Sequence, residues 1–429
     1  MKKIYLIFLF FFQSYLFATS ISFESIVEKA LEKSLELKIV NVNKEITDAK
    51  IEELDSLYYP TLSVGIYQQY SENLDSDQRV GTTIGSTYIS GQTQYESSTA
   101  FQMDYALYDF GVRENKREIA KIDRELVDYT FDESTQNLKL KLLDIYSKLL
   151  THSSELKHYQ NIKNLQSNMY IQTKRLYESG EIDKLSLSDR AIELVELDRN
   201  IEQSKSSIKE QFDVLSFFTK EQYDHGTHVL SFNTNKSLNM NYEDSFTHKS
   251  FQAKKEQKEY ELEVLNAEQY PTINIFGRYN MYGAKKTSIW TSLYHMRERN
   301  YVVGLGVNYR FFEGFKSFAS RKRIKAEKFQ LELQDQEQKE FFVQQQKANK
   351  DKVQSIASQI EQTSRSIEEQ TEKTNMLTRL QAQQEVDGLS ILKNKVAAVY
   401  KVLAFEKNLI EQSSKLKEME ILNDGVSYE

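Results

Sequence analysis

The chain has 429 residues, 56 basic against 63 acidic side chains, a net charge of −7, two prolines and no cysteine, with a mean hydropathy of −0.60. The acidic balance argues against a nucleic-acid partner, and the missing cysteine excludes disulfides and lipidation at a mature N-terminal Cys. With 28 % charged residues and two prolines where ~5 % is usual, the composition is that of very long helices rather than a compact enzyme core.

Residues 1–20 read as a cleaved secretory signal. Met1-Lys2-Lys3 is a basic start, Ile4 to Phe17 is apolar apart from Gln13 and Ser14, and the small residues Ala18, Thr19 and Ser20 follow. The run is shorter than the ~20 residues a spanning helix needs, and no other stretch could cross a bilayer as a helix. Export places the mature chain in the periplasm or beyond.

Residues 21–218 form a first repeat: a helix, a β-hairpin at about 61–108, a long helix, a tip at about 179–187 and a returning helix. Pro60 stands in Tyr59-Pro60-Thr61-Leu62, the junction where a helix ends and a strand starts. Leu62, Val64 and Ile66 then alternate with Ser63, Gly65 and Tyr67, and after the polar stretch Ser71 to Ser98 the alternation resumes at Phe101, Met103, Tyr105 and Leu107. The corner Leu107-Tyr108-Asp109-Phe110-Gly111 leads into a helical pattern in which Leu138, Leu142, Ile145 and Leu149 make a heptad-like seam. Glu181-Ile182-Asp183-Lys184-Leu185-Ser186-Leu187 turns that helix back, with Gly180 supplying the left-handed residue a helix end prefers.

Residues 219–243 mix turn signals with the short alternation His228 to Phe232 and read as a small mixed α/β region, which the C-terminal tail 421–429 joins. His225 and His228 form an H-x-x-H too poor in further ligands to predict a metal site. No cofactor is expected, and no nucleophile-base-acid set or phosphate loop marks an enzyme.

Residues 244–420 repeat the first pattern. Pro271 lies in Tyr270-Pro271-Thr272-Ile273, a hairpin spans about 272–311, the corner is Phe311-Phe312-Glu313-Gly314-Phe315, and Val353, Ile356, Ile360 and Ile367 mark the long helix. The second tip, at about 384–391, reads Glu385-Val386-Asp387-Gly388-Leu389-Ser390-Ile391, with Gln384 where the first copy has Gly180. Asp109 to Asp183 and Glu313 to Asp387 are both separations of 74 residues, so two arms of one length, ~110 Å at ~1.5 Å per residue, end at one level.

Strands of about ten residues with one apolar face and tyrosines near their ends (Tyr67, Tyr70, Tyr105, Tyr108, Tyr279, Tyr282, Tyr309, with Phe311) are the pattern of an outer-membrane β-barrel and its aromatic girdle. Four strands cannot close one, since the smallest have ~8, so copies of the chain must pool their strands. The rival is a pore-less periplasmic coiled-coil scaffold or adaptor whose four strands form a soluble domain.

The leader, the paired Tyr-Pro-Thr strands, the two corners and the Gly180 turn followed by Asp183, Leu185 and Ser186 together resemble the TolC-like outer-membrane efflux proteins, over essentially the whole mature chain. The resemblance implies a mainly α protein with β: a homotrimer with a twelve-stranded barrel in outer-membrane lipid, a periplasmic helical barrel and a small mixed α/β equatorial region. Its function would be a passive exit duct for multidrug efflux or type I secretion. The docking surface for a periplasmic adaptor, and through it an inner-membrane RND or ABC pump, would be Gly180, Glu181, Ile182, Asp183, Leu185, Ser186, Glu385, Val386, Asp387, Gly388, Leu389 and Ser390, with Ile182, Leu185, Val386 and Leu389 as exposed apolar points. Such channels narrow in an acidic ring just past the second turn. Here Ser390 and Lys393 stand at those places, so Asp387 is expected to take over part of the gate.

Overall fold

The structure, a computed structural model, describes residues 20–72, 79–83, 86–90, 94–223, 228–232, 241–383 and 387–423. The expected leader lies outside them except for Ser20, which is already in a strand. The first copy comprises β1 (Ser20–Ile21), α1 (Phe23–Lys33), α2 (Leu35–Asp55), β2 (Thr61–Ser71), β3 (Arg79–Thr83), β4 (Ser86–Ser90), β5 (Gln94–Tyr108), α3 (Val112–Glu178) and α4 (Lys184–Thr219). After β6 (His228–Val229), the second comprises α5 (Phe246–Ala267), β7 (Thr272–Lys285), α6 (Ile289–Tyr294), β8 (Glu298–Asn308), α7 (Lys316–Ala382) and α8 (Gly388–Asn423). The duplication is explicit in these lengths: α3 and α7 have 67 residues each, and α4 and α8 have 36 each.

The chain divides into two compact units, one made of Asn41–Tyr129 with Lys249–Gln336 and the other of the remaining residues. The first unit holds an antiparallel sheet in the order β2-β5-β7-β8. Register aligns Val64 with Phe101, Phe101 with Tyr279 and Tyr279 with Tyr301, so one face collects the apolar side chains. The alternate positions, among them Ser63, Gln102, Asp104, Asn274, Arg278, Asn280 and Asn300, form a polar opposite face. Among the described residues, no strand pairs with the outer edge of β2 or of β8.

Pro60 and Pro271 each stand one residue before a strand, as expected. The second hairpin is shorter than its sequence pattern: β8 stops at Asn308, the partner of Thr272, because Pro271 beyond it has no N–H to extend the ladder. Tyr309 and Phe311 are therefore exposed coil rather than strand. Of the expected girdle, Tyr67 and Tyr282 fall on the polar face, since Tyr67 continues the odd positions Ser63 and Gly65 and is in register with Ser98 and Tyr282. Two elements were not legible: the antiparallel β3–β4 pair within the polar stretch and α6 within the second hairpin.

Side chains link the helices of this unit in the same order as the strands that continue them. Lys50 and Arg124 reach from α2 and α3 to Asp123 and Asp48 (2.8 and 2.9 Å), Gln257 of α5 donates to Asp123 (2.6 Å), and Lys255 and Lys258 pair with Asp335 and Glu327 of α7 (both 3.0 Å). The corner entering α3 places Phe110 and Gly111 at positive φ, and the one entering α7 does so with Gly314 and Phe315. Each corner thus pairs one glycine with one phenylalanine, in opposite order. In the first, Asp109 accepts from the backbone N–H groups of Gly111 and Arg113 (3.3 and 3.1 Å) and from Arg113 Nε (2.9 Å), while Arg113 Nη1 donates to the Leu57 carbonyl (2.9 Å).

The second unit is built on helices. Leu138, Leu142, Ile145 and Leu149 are buried together with Phe23, Ile26, Phe212 and Leu215, as the heptad pattern of α3 predicts. Of the four residues that mark α7, Ile356 is buried within one chain, and Val353, Ile360 and Ile367 are half-buried. In the mixed region β6 pairs in parallel with β1. Of the expected C-terminal tail, 421–423 are the end of α8, and 424–429 lie outside the described residues. The buried Tyr146 hydroxyl fastens this pair, donating to the carbonyls of Ile21 (3.0 Å) and Leu230 (2.7 Å). His225 and the turn at 224–227 lie outside the described residues.

Candidate functional site

The first tip is a helix end followed at once by a helix start. Gly180, at φ 82°, is the left-handed residue after α3; its N–H donates to the Tyr177 carbonyl (3.0 Å) and the Glu181 N–H to that of Leu176 (2.9 Å). This pair of hydrogen bonds is the Schellman closure, which satisfies carbonyls a helix end would otherwise leave unpaired. Ile182 leads into Asp183, whose Oδ1 accepts from the Ser186 N–H (2.9 Å) and caps α4. The Ser186 hydroxyl and backbone N–H hold the Asp183 carboxyl below its ordinary range.

The second tip repeats the cap but not the helix end. Asp387 Oδ1 accepts from the Ser390 N–H (2.7 Å) and starts α8, and Gly388 is the first residue of that helix rather than the close of α7. Its lack of a side chain serves a different need, because a Cβ there would stand 3.3 Å from Gln172 Oε1 of α3. Gln384, Glu385 and Val386 lie outside the described residues. Lys393 is exposed one turn beyond Ser390.

Between the tips lies a cavity of about 310 Å³ lined by Met169 and Thr173 of α3, by Ile182, Ser186, Asp189, Arg190 and Glu193, and by Leu389, Ser390 and Lys393. The expected docking points therefore divide. Leu185 stands free, 68 % exposed, whereas Ile182 and Leu389 are half-buried and form the apolar part of the groove. Glu181 is exposed beside Ser179, whose hydroxyl contacts it at 3.0 Å. Met169, Thr173, Asp189, Arg190 and Glu193 were not singled out in the sequence. Their signal is the helical spacing on either side of the turn, 169 with 173 and 186 with 189, 190 and 193, which brings them to one side of a helical hairpin. Arg190 and Glu193 are themselves paired at 2.6 Å, so the groove offers mixed charge around an apolar floor.

Known proteins share both the pattern and the architecture. Residues 26–216 match the family model described as outer membrane efflux protein. No curated protein matches the sequence. Among solved structures, the chain is similar to CusC, in crystal structures concerned with folding and transmembrane channel formation (TM-score 0.77, 13 % identity, 94 % of this chain and 92 % of that one). It is also similar to the outer membrane protein VceC of Vibrio cholerae (TM-score 0.73, 11 % identity, 93 % and 94 %) and to the Campylobacter jejuni CmeC outer membrane channel (0.75, 12 %, 94 % and 85 %).

At such identities the structures establish the fold, and it is the fold of outer-membrane channels with a β-barrel and a helical barrel. The resemblance to the TolC-like outer-membrane efflux proteins is borne out, by the family's model in the first copy and by the fold across both. VceC and CmeC are themselves outer-membrane proteins.

Proposed function

We propose that three copies of the chain assemble into one passive exit duct of a tripartite efflux pump or type I secretion system, docked through the helix tips to a periplasmic adaptor. The observation that carries this reading is the sheet of four strands, apolar on one face, polar on the other, with both edges unpaired among the described residues. Open edges and an apolar face seek partners in a soluble protein. Three such sheets joined edge to edge give twelve strands with the apolar faces toward lipid and the polar faces toward water, which leaves neither need unmet. A pore-less soluble scaffold would leave Val303, Leu305 and Val307 in water.

The docking role rests on the exposed Leu185 and on the groove that Ile182 and Leu389 floor between the capped turns of Asp183 and Asp387. The gate role of Asp387 rests on its exposed carboxylate at the start of α8, close to Ser390 and Lys393. The duct performs no chemistry; specificity belongs to its partners. Extraction from the outer membrane as a heat-resistant trimer, with conductance in planar bilayers, tests the assembly. A soluble monomer without conductance would overturn it.

A further inference from the structure

The connection between β7 and β8 is not a plain loop. Its helix α6 starts with a capping box in which Ser288 and Thr291 exchange hydrogen bonds, and it is clamped onto the apolar face of the sheet. Ser292 is wholly buried: its carbonyl oxygen lies so close to Gly283 that a Cβ there would be 2.2 Å away, and its hydroxyl is hydrogen-bonded to that of Ser97. Thr99 Oγ1 lies 3.7 Å from Met296 Sδ just beyond. Ser97, Thr99 and Gly283 are on the same side of β5 and β7 as Phe101 and Tyr279, so α6 continues the apolar face at the strand ends remote from the prolines.

The outer side of α6 carries Trp290, 67 % exposed and the only tryptophan of the chain, and Tyr294, 84 % exposed. Beside them stand the exposed cations Lys285, Lys286, Arg297 and Arg299, none of them in a salt bridge among the described residues. Amphipathic rings flanked by cations, contiguous with a lipid-facing surface, are the composition of a membrane boundary facing anionic headgroups. We propose that α6 is an interfacial helix that seats Trp290 and Tyr294 at the edge of the outer leaflet, with Lys285, Lys286, Arg297 and Arg299 holding phosphate groups of its lipid headgroups. This rests on the outer-membrane reading above.

The single tryptophan makes the test direct. The full mature chain is reconstituted into phosphatidylcholine vesicles with and without lipid A, and channel insertion is checked by conductance. Brominated phosphatidylcholine should quench Trp290 emission roughly twofold while aqueous iodide has little effect, and lipid A should deepen the protection. Gly283→Val, which displaces α6 from the sheet, should exchange these two sensitivities. The triple variant K285E/K286E/R299E should abolish only the lipid A effect. In conducting vesicles, full iodide quenching without bromolipid quenching would overturn the inference and leave the channel reading standing. Shielding from both quenchers would show that a neighbouring copy covers α6, and would overturn it equally. An unchanged response to lipid A would remove the phosphate contact. A chain that neither conducts nor floats with vesicles would sink both readings.

Discussion

The orientation of the sheet is tested by two neighbouring residues of one type. Val302 and Val303 adjoin at the middle of β8, on opposite faces, opposite Arg278 and Gly277. The eleven residues of β8 run ~37 Å, which at a tilt of ~40° is ~28 Å of height, about the thickness of the apolar band of a membrane barrel. Val303→Arg therefore puts a guanidinium near the bilayer midplane, at a cost of about 2–4 kcal/mol per chain, or ~6–12 kcal/mol per trimer. Val302→Arg faces the aqueous side. Its penalty is repulsion from Arg278 directly across the ladder, at most ~1 kcal/mol per chain. Separation of outer membranes on a density gradient, followed by heating of the assembled species in detergent, reads both. Val303→Arg should be largely lost from the heat-resistant outer-membrane pool and Val302→Arg retained. Equal loss of the two, or tolerance of Val303→Arg, would refute the assignment of the apolar face to lipid.

Four other substitutions bear on the remaining parts. Tyr146→Phe removes the hydroxyl that holds both the Ile21 and Leu230 carbonyls, and should cost about 1–3 kcal/mol, seen as a lower melting temperature in detergent; an unchanged Tm would show that these strands do not depend on it. At the contact of α3 with α8, burial pushes the Glu406 carboxyl up, but the Ser154 hydroxyl and His158 imidazole, with Lys157 beside them, outweigh it and hold the group below its ordinary 4.5. The associated stability is present above that value and is lost as pH falls through the lower folded pKa, so Tm should drop more steeply on acidification in the native chain than in Glu406→Gln. Leu185→Asp removes the exposed apolar point of the first tip and should weaken adaptor binding about tenfold or more in a pull-down while leaving the trimer intact. Asp387→Asn keeps an equally good helix cap and removes only charge, so a fall in single-channel cation preference would follow from a gate role; an unchanged preference would end it.

What the sequence showed and what it hid have one physical basis. Periodic burial writes itself into residue type: Leu138, Leu142, Ile145 and Leu149 recur at heptad spacing because one side of α3 is packed, and Val303, Leu305 and Val307 alternate because one side of β8 is apolar. Proline and glycine mark backbone that other residues resist, which is why Pro60, Pro271 and Gly180 predicted strand starts and a helix close. Gly388 answers to a contact instead, since a Cβ there would come within 3.3 Å of the Gln172 side-chain oxygen. The β3–β4 pair carries polar residues that no periodicity separates from a loop, and six-residue α6 is too short to show a helical period at all. It is detectable only from the sheet, where Gly283 and Ser97 leave room for it.

The tips follow from this division between local and contact-dependent signals. Asp183 and Asp387 were readable as equivalent tip positions because the two turn motifs match locally, and in the structure both cap the following helix at the same spacing, to Ser186 and Ser390. The groove between them was not, because it depends on which side of α3 meets α4 and α8, and Met169 and Thr173 acquire a role only there. Ile182 and Leu389 look alike in sequence to Leu185, yet they line the groove while Leu185 projects from the turn. Two kinds of apolar contact follow, a projecting one and a recessed one. Substitution of Leu185 should therefore impair docking without altering the tips, whereas substitution of Ile182 or Leu389 should loosen the packing of the two hairpins together. Measured on one chain, adaptor affinity and thermal stability separate the two.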